Sequence, residues 1–271
     1  LITGALGQLG QELTAALQQV YGPAQVFPTD VRQLEGGPKV DILDVCNPQA
    51  LLAFMQANGI THVYHLAALL SAKGEQQPKL AWRINMDGLL NVLEVAAAHE
   101  MDRVFWPSSI AVFGPSTPGN PAPQQTVLEP TTVYGITKLA GEQLCAYYRH
   151  TRGLDVRSLR YPGLISYGAA PGGGTTDYAV EMYFEAAEHG RYTSFLAQGT
   201  RLPMLYMPDA VRATLELMEA PAQAIRIPTS YNLGGLAFSP EEQAAAIQAH
   251  LPGFHLDYAP DFRQQIADSW P

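Results

Sequence analysis

Apolar residues in the first part of the chain alternate between a helical and a strand-like spacing. Within residues 9–20 they recur every three or four positions, which predicts an amphipathic helix. Short apolar runs at residues 1–3 and 25–29 flank this segment and are typical of buried strands. The three segments together predict a strand–helix–strand unit, whose two strands are expected to pair in parallel.

The same alternation continues through the middle of the chain. Helices are predicted at residues 51–58, 80–99 and 134–149, and strands at residues 61–66, 103–107 and 156–159. A proline-rich stretch at residues 115–130 shows neither pattern and predicts a loop. Strands separated by helices favour an α/β fold: a Rossmann-type, doubly wound parallel sheet with helices on both faces.

The pattern becomes less regular after residue 161, where helices are predicted at residues 179–189, 209–220 and 240–250. We therefore expect two domains of unequal size. The larger one would comprise residues 1–162 and be rejoined by about residues 203–234. The smaller C-terminal α/β domain would comprise residues 163–202 and 235–271.

Composition and charge narrow the class of protein. Of the 271 residues 47% are hydrophobic and 15% are charged, which predicts a folded protein with an ample core. The net charge of −9 argues against nucleic acid as a partner, and no apolar run approaches the roughly 20 residues that span a membrane. Two cysteines, Cys46 and Cys145, favour a reducing compartment, the cytoplasm or, in a eukaryote, the mitochondrial matrix. We also expect that the chain was trimmed before its short first strand.

Three glycines, Gly4, Gly7 and Gly10, lie between the first predicted strand and the first predicted helix. Glycine permits a tight turn and a close approach of backbone amides to a pyrophosphate, which the positive end of the helix also favours. Asp30 follows 20 residues after Gly10, where a carboxylate can bind both hydroxyls of an adenosine ribose and would repel a 2′-phosphate. The motif predicts NAD rather than NADP; the alternative is a plain turn with an exposed aspartate.

Tyr134 and Lys138 lie four residues apart at the start of a predicted helix, and Ser109 lies just after a predicted strand. Residues at this spacing share a helix face, so the lysine ammonium would lower the pKa of the tyrosine towards the range of a general base. Ser109, with Ser108 as the alternative, would hold a substrate hydroxyl while its proton is removed. Such a tyrosine–lysine pair alone is typical of a solvated helix face, but beside a nucleotide-binding turn it predicts an oxidoreductase.

These motifs resemble those of the extended short-chain dehydrogenase/reductase superfamily, which also contains nucleotide-sugar epimerases. The glycine turn, the Tyr-x-x-x-Lys pair and the serine of Ser109-Ile-Ala-Val-Phe-Gly114 match the superfamily pattern. Within the superfamily, the chain is more closely similar to the short-chain L-threonine 3-dehydrogenases. Six segments carry this closer similarity, at residues 65–75, 107–114, 131–138, 160–166, 171–179 and 202–210.

The resemblance implies that NAD oxidises the C3 hydroxyl of L-threonine to give 2-amino-3-oxobutanoate, as in threonine catabolism. Tyr134 would be the general base, assisted by Lys138 and Ser109. The larger domain would bind NAD, the smaller one the substrate, and the chain would form a homodimer. Two alternatives stay open: a nucleotide-sugar 4-epimerase or dehydratase with tightly bound NAD, and a non-catalytic NAD-sensing module.

Further residues are expected to contact the cofactor or the substrate. The carboxylate of L-threonine would meet the glycine-rich loop at residues 172–177, whose amides precede a helix; the alternative is that Thr176 or Asp177 only caps that helix. The expected cofactor contacts are Gly4, Gly7, Gln8, Leu9, Gly10, Asp30, Asp44, Val45, Leu66, Ala67, Ala68, Asn85, Tyr134, Lys138, Tyr161, Pro162 and Leu164. The expected substrate contacts are Ser71, Ser109, Tyr134, Gly174, Thr175, Thr176 and Trp270. No histidine and cysteine spacing predicts a metal site.

Overall fold

The computed structural model describes residues 1–119, 121–168 and 170–270, and within these ranges the strands are short. They are β1 (Ile2–Thr3), β2 (Pro28–Asp30), β3 (Asp41–Ile42), β4 (His62–His65), β5 (Arg103–Phe105), β6 (Ser108–Ser109), β7 (Val156–Arg157), β8 (Leu159–Tyr161), β9 (Gly163–Ile165), β10 (Arg191–Ser194), β11 (Leu202–Tyr206), β12 (Tyr231–Asn232), β13 (Leu236–Phe238) and β14 (His255–Tyr258).

The helices begin mostly at proline or at a side chain that caps them. They are α1 (Gln8–Tyr21), α2 (Pro48–Ala57), α3 (Ser71–Gln76), α4 (Pro78–Trp82), α5 (Gly88–Ala98), α6 (Val133–Arg152), α7 (Tyr178–His189), α8 (Met207–Glu219), α9 (Pro240–Gln248) and α10 (Phe262–Ala267). A π turn, Arg83–Asp87, joins α4 to α5. The helix predicted at residues 80–99 therefore exists, but its hydrogen-bond pattern changes in its first half.

Six strands form a parallel sheet in the order β3-β2-β1-β4-β5-β7. The order runs outwards from β1 to β3 in one direction and from β4 to β7 in the other, so the winding reverses between β1 and β4. This is the topology of a doubly wound Rossmann-type sheet, as the alternating pattern predicted. Cofactors of such sheets bind beyond the carboxyl ends of the strands at the point of reversal.

The strand predicted at residues 156–159 divides between two sheets. β7 pairs with β5 at the edge of the large sheet, whereas β8 lies between β6 and β12 in a second parallel sheet. Ser158 lies at the crossing, and its carbonyl oxygen accepts a hydrogen bond from the amide nitrogen of Tyr231 at 3.0 Å. The chain thereby places β8 beside β6, the strand that ends at Ser109.

The C-terminal part contributes two more small sheets. β11 pairs with β9 in parallel and with β13 in antiparallel fashion, and β10 pairs with β14 in parallel. Together with α7, α9 and α10 these strands enclose an apolar core of their own, which includes Tyr178, Met182, Leu196, Met204 and Phe254. This core is distinct from the two that cover the large sheet.

The strands of the large sheet are buried on both faces, which explains why their sequences are continuous apolar runs. Val63, Val104 and Val156 point into one core, and Ile2, Tyr64 and Phe105 point into the other. In the part of the chain that the structure describes, no helix has the length and apolar character needed to cross a membrane. Both cysteines, Cys46 and Cys145, carry free thiols.

Candidate active site

A cleft of about 710 Å³ lies where the winding of the large sheet reverses. Residues that follow β1, β2, β4 and β6 line it, so it lies beyond the carboxyl ends of these strands. Its lining includes every residue expected to contact cofactor or substrate except Asn85. The fold therefore brings residues that are far apart in sequence into one cavity.

The glycine turn has little room for side chains. Gly4 has a φ of +70°, and a Cβ there would lie 2.7 Å from the amide nitrogen of Ala67. A Cβ at Gly10 would lie 2.4 Å from the carbonyl oxygen of Gly4. Glycine is thus required for the packing of the turn against the end of β4. Gly7 precedes α1 and offers no side chain to cap it, so the first amides of α1 are available to an anion.

Asp30 ends β2 beside the glycine turn. One carboxylate oxygen, Oδ2, accepts a hydrogen bond from the amide of Leu6 at 3.2 Å, and Oδ1 accepts one from the amide of Val31 at 2.8 Å. These two bonds fix the orientation of the carboxylate at the cleft wall. Each oxygen keeps a second lone pair, with which it can accept a ribose hydroxyl.

The residues of the turn fit a bound dinucleotide. The side-chain nitrogen Nε2 of Gln8 is buried without a hydrogen-bond partner among the described residues, and Gln8 lines the cleft. A buried donor of this kind is costly unless a ligand satisfies it. A phosphate oxygen held by the amides at the start of α1 would do so, which agrees with a pyrophosphate at this turn.

Asp44 and Val45 follow β3 at the end of the cleft nearest to Asp30. Asp44 accepts a hydrogen bond from the amide of Cys46 at 2.9 Å through Oδ1, and Val45 is buried. Arg32 and Arg83 also line this cleft. Sequence reasoning missed both arginines, because neither belongs to a motif and only the fold brings them to the cavity.

Asn85 does not reach the cleft. Its Oδ1 accepts from the amide of Leu69 at 2.8 Å, and its Nδ2 donates to the carbonyl oxygen of Leu69 at 3.1 Å and to Oγ1 of Thr137 at 3.2 Å. These three bonds engage the buried amide within the fold, and a direct cofactor contact of Asn85 stays a prediction. Asn85 instead fixes Leu69, which does line the cleft, and ties it to α6.

Two caps determine where the helix that carries Tyr134 begins. Oγ1 of Thr132 accepts a hydrogen bond from the amide of Gly135 at 3.0 Å, and a carboxylate oxygen of Glu75 accepts one from the amide of Val133 at 2.6 Å. Amides in the first turn of a helix lack partners within the helix, so these acceptors stabilise its start. Tyr134 is thereby held in a fixed first turn of α6.

The three residues expected to be catalytic meet in the middle of the cleft. Tyr134 and Lys138 lie one turn apart on α6, and Ser109 ends β6. Burial raises the pKa of Tyr134 to about 12, although a hydrogen bond with Ser109 lowers it; the charge of Asp177 adds to the rise. Ser109 also accepts a hydrogen bond from the amide of Ala111 at 3.2 Å, which orients its hydroxyl.

The net pKa of Tyr134 is raised, although its spacing to Lys138 predicted that it would be lowered. Nζ of Lys138 donates to the carbonyl oxygen of Pro107 at 2.6 Å and lies 4.6 Å from the centroid of the Trp106 ring and 5.4 Å from that of the Tyr134 ring. Burial lowers the pKa of Lys138 itself to about 7. The four-residue spacing predicted proximity but could not show that both groups are buried, and burial is the largest cause of each pKa shift.

A buried ion pair lies directly behind these residues, and sequence reasoning missed it. Glu142, one turn beyond Lys138, accepts from Nε and Nη2 of Arg160 at 2.8 and 2.7 Å and from the hydroxyl of Ser108 at 2.6 Å. Arg160 also donates to the side chain of Asn232 at 3.0 Å. The pair therefore joins α6, β6, β8 and β12. Because the hydroxyl of Ser108 donates to Glu142, Ser109 is the serine that hydrogen-bonds Tyr134.

The glycine-rich loop before α7 uses its amides internally. The amides of Gly173 and Gly174 donate to Oδ2 of Asp177 at 2.7 and 2.8 Å, and the amide of Thr175 donates to the hydroxyl of Ser71 at 3.1 Å. The expectation that these amides would bind a substrate carboxylate is corrected, because the carboxylate of Asp177 already occupies two of them. Burial raises the pKa of Asp177, although these amides oppose the rise.

The hydroxyls of the loop do converge on the cleft. Ser71 and Thr175 are both buried, and their hydroxyl oxygens lie 3.0 Å apart. Thr176 lines the same part of the cavity, and Trp270 reaches it from the C-terminal segment while packing against two apolar cores. The structure thus brings the expected substrate residues to one end of the cleft. Lys73, which sequence reasoning did not assign to the site, lines this end too.

The comparisons with known proteins agree with this geometry. Residues 1–234 match the NAD dependent epimerase/dehydratase family. A protein described as an uncharacterized epimerase/dehydratase of Staphylococcus haemolyticus is 50% identical over 277 residues, which cover 100% of this chain and 87% of that relative.

Two solved structures are similar over 100% of this chain. The GalE-like L-threonine dehydrogenase from Cupriavidus necator, in its holo form, is 51% identical with a TM-score of 0.95, over 88% of its own chain. A monomeric L-threonine 3-dehydrogenase from a metagenome, in its apo form, is 49% identical with a TM-score of 0.96, over 87% of its own chain. These similarities confirm the expected superfamily, the Rossmann-type fold, NAD as the cofactor and an NAD-dependent oxidoreductase. The chain belongs to the NAD dependent epimerase/dehydratase family.

Proposed function

We propose that this protein oxidises the C3 hydroxyl of L-threonine with NAD and releases 2-amino-3-oxobutanoate, NADH and a proton. One observation carries the proposal: the hydroxyl pair of Ser71 and Thr175 lines the same cleft as Tyr134 and Ser109. The part of the cleft around this pair is lined by hydroxyls and a short loop, which suits a small polar substrate. The similar solved dehydrogenases support the same substrate.

Tyr134 would take the proton from the C3 hydroxyl, and Ser109 would hold the oxygen of that hydroxyl in reach of the phenolate. Lys138 would stabilise the phenolate from its place on the same helix face and bind the nicotinamide ribose. NAD, when bound, supplies the hydride acceptor. The glycine turn and Asp30 would hold its pyrophosphate and its adenosine ribose.

The substrate would lie between Tyr134 and the loop before α7. Ser71, Thr175 and Thr176 would supply hydroxyl donors, and Gly174, whose amide donates to Asp177, would form the backbone wall beside them. Trp270 would cover the cavity from the C-terminal segment and exclude water. On this proposal residues 163–202 and 235–271 are the substrate-binding part, which their separate apolar core supports.

The test is NADH absorbance after the protein is mixed with NAD and L-threonine. We expect a signal with this combination and little with NADP, L-serine or L-allo-threonine. A folded protein that binds NADH but gives no signal with L-threonine would contradict the proposal. In that case a nucleotide-sugar epimerase or dehydratase would be tested next, with UDP-galactose as the probe.

We also infer a homodimer formed by α4, α5 and α6. These helices contact one another, and they expose large apolar side chains, namely Trp82, Leu90, Ile136 and Tyr147. An exposed apolar surface of this kind is typical of an interface. The metagenomic relative is described as monomeric. The test of the dimer is therefore a direct measurement of the molecular mass in solution.

A further inference from the structure

The substrate carboxylate needs a partner that the loop amides do not supply. L-threonine is a zwitterion near neutral pH, so a site that binds it must accommodate a carboxylate. Asp177 takes the amides of Gly173 and Gly174, and Ser71 takes the amide of Thr175. Asp177 is itself acidic and would repel a second carboxylate. The hydroxyls of Ser71 and Thr175 can donate hydrogen bonds, but they carry no charge.

Four cationic side chains line the cleft within the described residues: Arg32, Lys73, Arg83 and Lys138. Arg32 lies next to Asp30, and the backbone of Arg83 contacts Cys46, so both belong to the cofactor end. Lys138 is buried and donates to the carbonyl oxygen of Pro107. Lys73 is therefore the cation at the end of the cleft that holds the hydroxyl pair.

Lys73 is anchored against the loop by its carbon chain. A Cβ placed at Gly173, where φ is +99°, would lie 2.7 Å from Cε of Lys73 and 3.0 Å from its Cδ. The lysine chain thus lies directly on the glycine backbone, two residues before Thr175. Among the described residues Lys73 has no ion-pair partner.

The helix that carries Lys73 also packs on the catalytic tyrosine. Ser71 and Lys73 both lie on α3, and a Cβ at the next residue, Gly74, would lie 3.8 Å from Cβ of Tyr134. A ligand held at Tyr134 by its C3 hydroxyl would therefore have its C1 carboxylate, two carbons away, close to α3.

We propose that Lys73 recognises the carboxylate of the amino-acid substrate and so contributes to the selection of 2-amino-3-hydroxy acids over amino alcohols that lack the carboxylate. The inference rests on the proposed function. Lys73 acts through charge from the rim of the cleft, while Ser71 and Thr175 donate the directional hydrogen bonds. Since the lysine is exposed to solvent, salt should weaken its contribution.

The test compares Lys73→Met with Lys79→Met in the NAD-saturated enzyme. Methionine keeps a long chain over Gly173 and removes the charge, and Lys79 is a nearby exposed lysine on α4 that does not line the cleft. We expect Lys73→Met to raise KM for L-threonine by about two- to fivefold, the scale of one solvent-exposed ion pair, with little change in kcat. Lys79→Met should leave KM unchanged.

Two further measurements separate charge from structure. The KM of the wild-type enzyme for L-threonine should rise with ionic strength, and that of Lys73→Met should not. With 1-amino-2-propanol, which keeps the amine and the hydroxyl but lacks the carboxylate and is a cation near neutral pH, Lys73→Met should not lower kcat/KM. Lys73→Arg should restore most of the affinity for L-threonine.

The outcomes distinguish the inference from the proposed function. A wild-type enzyme that does not oxidise L-threonine would overturn the proposed function and the inference with it. A wild-type enzyme that oxidises L-threonine, with an unchanged KM in Lys73→Met, would overturn the inference alone. A loss of activity in Lys73→Met that is equal for L-threonine and 1-amino-2-propanol would also overturn it, because it would show a structural effect.

Discussion

Tyr134 is the residue on which the proposed chemistry depends. Replacing it by phenylalanine removes one oxygen and preserves the ring that Lys138 faces. Because the phenolate is the proposed base, Tyr134→Phe should lower kcat by roughly 10²- to 10⁴-fold, the usual contribution of general base catalysis. The affinity for NADH, measured by fluorescence titration, should change little.

The matched control is Tyr147→Phe, which alters an exposed tyrosine on the same helix. It should retain the wild-type rate. Turnover by Tyr134→Phe at more than a tenth of the wild-type rate would exclude Tyr134 as the base.

The raised pKa of Tyr134 determines the pH dependence. Only the deprotonated phenol can accept the proton of the substrate, and with a pKa of about 12 the deprotonated fraction is small at neutral pH. That fraction grows tenfold with each pH unit below the pKa, so kcat/KM should rise from pH 7 towards alkaline conditions. A profile measured by stopped-flow absorbance that is flat, or that falls with pH, would contradict the phenolate mechanism.

Asp30 should control the choice between NAD and NADP. Its carboxylate is fixed by two backbone amides at the cleft wall, where a 2′-phosphate would be repelled. Asp30→Ser should reduce kcat/KM with NAD by about tenfold, the scale of one lost charge-assisted hydrogen bond, and raise the value with NADP. Nearby Arg32 would then face the phosphate. Unchanged cofactor preference in Asp30→Ser would show that another residue discriminates.

At the scale of the elements, the buried pair of Glu142 and Arg160 joins the helix of Tyr134 to the strand of Ser109. Removal of one partner leaves the other charged group buried, so Glu142→Ala should lower the free energy of unfolding by about 3–5 kcal/mol. The measurement is urea denaturation. Glu216→Ala, which breaks an exposed pair with Arg212, should change the free energy of unfolding far less because water screens that pair. Equal costs would show that the buried pair is not a major support of the site.

Local patterns were sufficient to predict the elements that build the cofactor end. The glycines, the alternating apolar runs and Asp30 act over short stretches of sequence, and strands that alternate with helices favour a doubly wound parallel sheet. The prediction of a Rossmann-type fold is confirmed for this reason. The positions of Tyr134 and Lys138 on one helix turn also follow from spacing alone.

Contacts between distant segments could not be predicted from local pattern. Residues 156–159 were expected to form one strand, but the chain crosses between two sheets at Ser158, which depends on pairing with Tyr231. Similarly, the use of Asp177 by the loop amides and the burial that raises the pKa of Tyr134 arise only in the folded chain. The burial of ionisable groups is a property of the tertiary structure. It changed the expected pKa values of Tyr134 and Lys138, which local sequence pattern could not reveal.

At the scale of the whole molecule, the cleft is built from two unequal parts. The part built on the large sheet contributes the turn, Asp30 and the helix of Tyr134, and the C-terminal part contributes the loop before α7 and Trp270. If the proposed function is correct, substrate recognition and cofactor binding rest on different apolar cores. A variant that disturbs one of these cores should affect the affinity for one ligand more than for the other.

The exposed face of α4, α5 and α6 predicts how two copies assemble. Ile136 and Tyr147 are 44% and 52% exposed and lie eleven residues, or three helix turns, apart, so they share one face of α6. Trp82, 47% exposed, extends the apolar surface onto the neighbouring helix.

Sedimentation equilibrium should therefore show a dimer whose fraction grows with concentration. Ile136→Glu should shift it to monomer because it would place a charge in the apolar interface, whereas Leu236→Glu, at an exposed site on β13, should leave the dimer intact. A wild-type protein that sediments as a monomer at all concentrations would assign this face to another role.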